Sequence, residues 1–214
     1  FFMADTRTQR TSREVVRTDE ARIMGRVQWA QLMAWLTQHG PEERPCFIAS
    51  PSILLPRRLT SDHLRPESAL LADAWESYPG SLHALLALLY RTQARNVIFL
   101  SGDEHVSCVA RITLTREGDG PERAVVAHSV HSSALYAPYP FANSRPHDFH
   151  LNDSFGFRHQ HEGQLHHYHC RVDTEVIPGD GFAILGCHQG GADGTWEVSA
   201  QFDRQEEVHH RVLR

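Results

Sequence analysis

Polar and apolar positions change their rhythm about halfway along the chain. In the first half, short unbroken apolar runs alternate with stretches of helical period. "FFM" at 1–3 reads as a strand running into a polar Asp5-Thr6-Arg7 turn, and "TRTQRTSREVVRTDEAR" lacks any sustained period and reads as an exposed loop. From Gly25 to His39 the apolar residues Val27, Leu32, Trp35 and Leu36, flanked by Trp29 and Met33, recur at helical spacing until Gly40-Pro41 stops them. "PCFIAS" at 45–50 is a second buried strand. Residues 51–79 are proline-rich and aperiodic, the pattern of a functional cover or a disordered insert. Their aromatic end, "DAWESYPG", favours an ordered piece packed on the core. "SLHALLALLYRT" at 81–92 is a helix apolar on most of its surface, and "NVIFL" at 96–100 is a strand apolar on both faces.

Beyond residue 105 the period shortens. "SCVARITLT", "RAVVAHSVH", "QLHHYHCRVDTEV", "GFAILGCHQ" and "TWEVSAQF" are strand-like and separated by Gly, Pro or Asp turns. The stretch from Ser132 to Gln164 reads as irregular. Together these imply a layered α/β fold over 1–110, continued over 111–214 by antiparallel strands that extend or flank the same sheet. Only about two helices are available to cover a sheet that is apolar on both faces, so a cleft or bare face is expected beside strand 96–100.

Composition narrows the function classes. The 214 residues carry a net charge of −5, with 22% charged and 41% hydrophobic positions, and no Lys/Arg block suited to a polyanion. No apolar run reaches the roughly 18 residues of a membrane span. Cys46, Cys108, Cys170 and Cys187 are far apart and sit in strand-like surroundings, so they read as buried thiols, which leans towards a reducing, cytoplasmic compartment. A Gly-x-Ser-x-Gly elbow and a phosphate-cradling glycine loop are both missing from the sequence.

The chemistry gathers in "SGDEHVS". Gly102 permits a turn directly after a strand, which puts Asp103, Glu104 and His105 at a strand's carboxyl end, where ligands collect in open α/β sheets. A carboxylate and an imidazole one residue apart suit a hard or borderline cation; the alternative is a polar turn whose Asp caps backbone N–H groups. Asp5 and Arg7 follow another strand end, where Arg7 either steadies a phosphate through its fork or pairs with Asp5 to pin the loop. Trp75 and Tyr78 either roof a substrate pocket or anchor the long loop. "HQHEGQLHHYH" collects His159, His161, His166, His167 and His169; His167 and His169 share one strand face at a metal-compatible spacing, and a solvated strand and turn is the competing reading. Asn143, Ser144, Arg145 and His147 form a further polar loop.

"FFMADTR", "GRVQWAQLMAWL", "DAWESYPGSLHALLALL" and "NVIFLSGDEH", in this order over residues 1–110, resemble the PhoD-type alkaline phosphatases, a branch of the calcineurin-like metallophosphoesterases. "VHSSALYAPYPFAN" is similar to one subgroup of PhoD-like proteins. The resemblance implies metal-dependent hydrolysis of phosphate esters, with Asp103 and His105 as catalytic metal-site residues and Arg7, Trp75 and Tyr78 as substrate-binding candidates. It also implies two or more divalent or trivalent ions, iron with calcium in the family. In that chemistry two cations about 3.5–4 Å apart clamp a phosphoryl group and activate a water. Glu104 departs from the family, where the middle position is more often apolar. The family's early Asp- and His-rich strand ends have no counterpart here, so the chain reads as the C-terminal half of a catalytic domain whose N-terminal half is its missing partner. The other function class in play is a non-catalytic binding or scaffolding protein that keeps the sheet.

Overall fold

The computed structural model describes residues 1–12, 19–59, 73–132, 135, 145–190, 194–204 and 208–213. Its centre is a seven-stranded mixed sheet in the order β1-β2-β3-β5-β4-β7-β6. The strands are β1 (Phe2–Met3), β2 (Cys46–Ala49), β3 (Val97–Ser101), β4 (Ser107–Arg116), β5 (Val125–His131), β6 (Asn152–His161) and β7 (Gln164–Ile177). β1, β2, β3 and β5 run parallel. β4, β7 and β6 complete the sheet antiparallel.

Two helices cover one face. In α1 (Arg26–His39) Leu32 and Leu36 are buried, whereas α2 (Pro79–Arg91) buries eight of its residues, Leu82 and Leu85 to Tyr90 among them. They close over Cys46, Ile48, Val97, Phe99, Ala110, Ile112 and Leu114 in one core. The strands read as unbroken apolar runs because their other face is buried as well. There, β8 (Gly181–Gly190), β9 (Thr195–Arg204) and β10 (Val208–Leu213) form a separate antiparallel sheet. Its Val198, Ala200 and Phe202 pack on Phe47, Ile98 and Val130.

This arrangement corrects three expectations. The bare face beside β3 is absent among the described residues, because the C-terminal strands fold back as a second layer instead of widening the first. β5 is antiparallel to β4 as expected, but it also slots against β3, to which it runs parallel. Asn152–His161, expected to be irregular, is a strand paired with β7 through a turn at Glu162-Gly163, both at positive φ. Its inward positions include Asp153, whose carboxylate takes a two-pronged bond from Arg57 at 2.6 and 2.9 Å. A buried ion pair at a core position obscures the alternation that would have marked the strand.

The four thiols are free; Cys46, Cys108 and Cys170 are buried, while Cys187 is exposed on β8. No helix among the described residues is long and apolar enough to cross a membrane.

Candidate functional site

β3 is the third of seven strands, and the turn that follows it carries Asp103, Glu104 and His105. The backbone strain of that turn falls on Asp103 and His105, at φ 88° and 55°. Such values are uncommon away from glycine, although Asp and His tolerate them better than most residues. Gly102 is not the left-handed residue; its Cα faces the Ser132 carbonyl, 3.4 Å from where a Cβ would stand.

Three polar groups converge here, Arg7 and Asp103 from two strand ends and Asp73 from the segment that leads to Trp75. The Asp103 carboxylate is 59% exposed and paired with the Arg7 guanidinium, which arrives from the turn after β1. That pairing, ahead of the carboxylate of Asp73, raises the Arg7 guanidinium above its ordinary value. Arg7 also reaches Asp73 at 2.6 Å, so its fork lies between two carboxylates. Asp73 is bridged in turn by Arg10, whose other contacts are the Ser52 hydroxyl at 3.2 Å and the Thr6 carbonyl. The expected Asp5–Arg7 ion pair is not what forms. Asp5 accepts the backbone N–H groups of Arg7 and Thr8, each at 2.9 Å, and the Thr8 hydroxyl. Those bonds, the Thr8 hydroxyl first, lower its pKa. Asp5 therefore pins the turn while Arg7 reaches away.

Glu104 points inward. Its carboxylate pairs with Arg58, with only 11% of the side chain exposed, and Arg58 lies over the Phe149 ring. Beneath the turn His131, fully buried, bridges Ser101 and the Glu104 amide. Burial pushes its pKa down to about 4 against the opposing pull of Asp103.

The remaining candidates separate. Trp75 and Tyr78 are 0% and 2% exposed, and the Trp75 indole donates to Ser50 Oγ at 3.1 Å. This placement favours anchoring over a substrate roof, since buried aromatic area is what fixes a loop to a core. His167 and His169 do share the outer face of β7, but each has its own neighbour: Glu117 at 3.5 Å for His167 and Ser154 Oγ at 2.8 Å for His169. Arg145 precedes the short capped turn Pro146–Asp148 and His147 lies within it, and Asn143 and Ser144 lie outside the described residues. Asp73, Arg58 and His131 escaped the sequence reading. Only His131, a histidine closing an apolar strand, carried any local signal.

Asp103 and His105 are donors of the right chemistry for a cation, an anionic oxygen and an imidazole nitrogen on one turn. Among the described residues no group of three or more His, Cys, Asp or Glu side chains is placed to share one. The two fit as part of a donor set. A cleft of about 690 Å³ bordered by Gln9, Arg26, Trp29 and Ser81 lies apart from the turn.

Carboxylate, imidazole and guanidinium groups thus stand at the carboxyl ends of parallel strands in a mixed α/β sheet, the edge where open α/β sheets gather ligands. Residues 1–176 match the family model of the PhoD-like phosphatases, and the chain belongs to that family. Among solved structures it is similar to one titled "Structure of PhoD", at 14% identity and a TM-score of 0.45. That match covers 97% of this chain and 41% of the other, so the chain spans about two fifths of that protein's length. No curated protein matches it.

Proposed function

We propose that this chain supplies Asp103, His105 and Arg7 to the active site of a metal-dependent phosphate-ester hydrolase. The observation that carries the reading is the Arg7–Asp103 pair, which joins the ends of β1 and β3 at one polar edge in a chain of the PhoD-like phosphatase family. Metal ions, iron with calcium by family implication, would supply charge neutralisation at the phosphoryl oxygens and an activated water. Asp103 and His105 would hold part of that centre, with the other donors coming from outside the described residues. Arg7 would offer a planar fork for two phosphoryl oxygens, and Asp73, which also pairs with it, would keep that fork at the edge with Asp103 serving as a metal donor.

The test is hydrolysis of a chromogenic phosphate ester by the metal-loaded full-length protein. Asp103→Asn keeps the shape of the side chain but removes its charge, and turnover should fall by about 100-fold or more with the fold intact. Near-normal turnover with unchanged metal content would return Asp103 to its role as the partner of Arg7. A second reading, a binding or scaffolding protein that keeps the sheet, is favoured by the lack of three converging donors among the described residues. It predicts no bound metal and no hydrolysis by the same full-length protein.

A further inference from the structure

Directly opposite Ser101 in the parallel register of β3 and β5 stands His131, on the helix-covered face and out of contact with solvent. Its Nδ1 lies 2.8 Å from Ser101 Oγ, and its Nε2 lies 3.4 Å from the backbone nitrogen of Glu104. A backbone N–H can only donate, so Nε2 must be the unprotonated nitrogen and Nδ1 must carry the hydrogen. Ser101 Oγ is therefore the acceptor that fixes the tautomer. Burial, which holds the ring neutral, agrees with that assignment.

The contact falls where the turn most needs support. Asp103 and His105 both hold left-handed backbone, a conformation that persists only where its surroundings over-determine it. Glu104, between them, is tied twice: its amide to His131 and its carboxylate to Arg58. With Glu104 held inward, the residues on either side keep their strained conformation and Asp103 stays at the surface.

We propose that His131 is a positioning residue, a neutral imidazole that clamps the Glu104 amide and so sets the turn presenting Asp103 and His105. The importance of that turn rests on the function proposed above, but the clamp itself is read out independently of any activity. Ser101 acts through His131 by orienting its ring.

Three proteins test the clamp by NMR: wild type, His131→Phe and His131→Gln. In wild type the imidazole nitrogens should report the Nδ1–H tautomer; the Nε2–H tautomer would overturn the proposal. His131→Phe keeps the ring but loses both bonds, and exchange of the Glu104 amide should accelerate about 10- to 100-fold while that of Phe99 in β3 is unchanged. The backbone signals of Asp103 and His105 should move with it. His131→Gln restores an acceptor near Nε2 and should return most of the protection. Unchanged Glu104 exchange in His131→Phe, or equal loss at Glu104 and Phe99, would overturn the clamp. Should His131→Phe fail to fold, the wild-type tautomer and the Gln variant decide alone. Absence of bound metal and of hydrolysis in the wild-type protein would sink the proposed function, and undiminished hydrolysis in Asp103→Asn would remove Asp103 from the site; both would leave these signals untouched.

Discussion

His83 offers a perturbation whose size follows from the structure. Its ring, on α2, stacks on Phe157 of β6 with centroids 4.8 Å apart and planes 13° from parallel. Burial first, then His159 and Arg57, push its pKa from 6.5 down to about 4. The neutral form is favoured by the fold, while the unfolded chain takes up a proton near 6.5. Stability is therefore full above that pH and is lost as pH falls from about 6.5 through about 4. In the fully buried limit the displacement corresponds to about 3 kcal/mol, and residual solvent contact reduces the expected loss to about 2 kcal/mol. His83→Phe removes the titrating group and keeps an aromatic ring against Phe157. Urea unfolding of both proteins between about pH 7.5 and 4.5 reads out the residue, since acid-sensitive groups remote from it, His131 included, cancel in the difference, and the difference that remains includes its coupling to His159. The variant should gain about 2 kcal/mol on the wild type as pH drops. Parallel curves would refute the argument and place His83 in contact with water.

Two further outcomes follow from buried groups. Arg57→Met leaves Asp153, 4% exposed, without its partner in a low-dielectric setting and should cost about 3–5 kcal/mol by urea unfolding, most of it recovered when Asp153→Leu is added. A thiol-reactive chromophore should label one cysteine rapidly in the native protein and three more only in denaturant, because Cys187 alone among the four is exposed.

How far the sequence revealed this molecule depends on the distance over which each feature is decided. α1, α2, β2 and β3 are set by local pattern: an apolar run between turn residues or a leucine-rich helical period survives without knowledge of the neighbours. The placement of the candidate residues was legible to the same depth, since Asp103, His105 and Arg7 all follow strands marked by apolar runs. The position of β5 was not legible, because a strand's slot is chosen by pairing with β3 across a chain excursion that also forms β4. His131 was hidden for the same reason: it lies under the Glu104 turn only because β5 takes that slot. Asp73 meets Arg7 and Arg10 across more than sixty residues, and no periodicity links them. Glu104, which departs from the family's more often apolar position, finds its partner in Arg58 from the proline-rich segment, and no local pattern links the two.

That segment gives the last step. Residues 53–59 are bonded on both sides, and the two neighbouring arginines point to different destinations: Arg57 to Asp153 on β6, Arg58 to Glu104 in the turn after β3. Backbone bonds support the path, His150 N–H donating to the Arg57 carbonyl at 2.9 Å and Leu59 N–H to the Asp148 carbonyl at 2.8 Å. Its other end is fixed by the Trp75 amide, which donates to the Ile53 carbonyl at 3.1 Å. A stretch that reads as a functional cover or a disordered insert is thus, over residues 53–59, a strap between an edge strand of the sheet and the candidate site. The two ion pairs carry different duties under the same physics. The Asp153 pair is almost closed to solvent, and losing one member leaves an uncompensated charge in the core, which is a stability effect. The Glu104 pair ends on the residue that separates Asp103 from His105, so losing Arg58 would chiefly loosen the turn. β6 is consequently linked to the site through two adjacent side chains, although it lies four strands from β3 in the sheet.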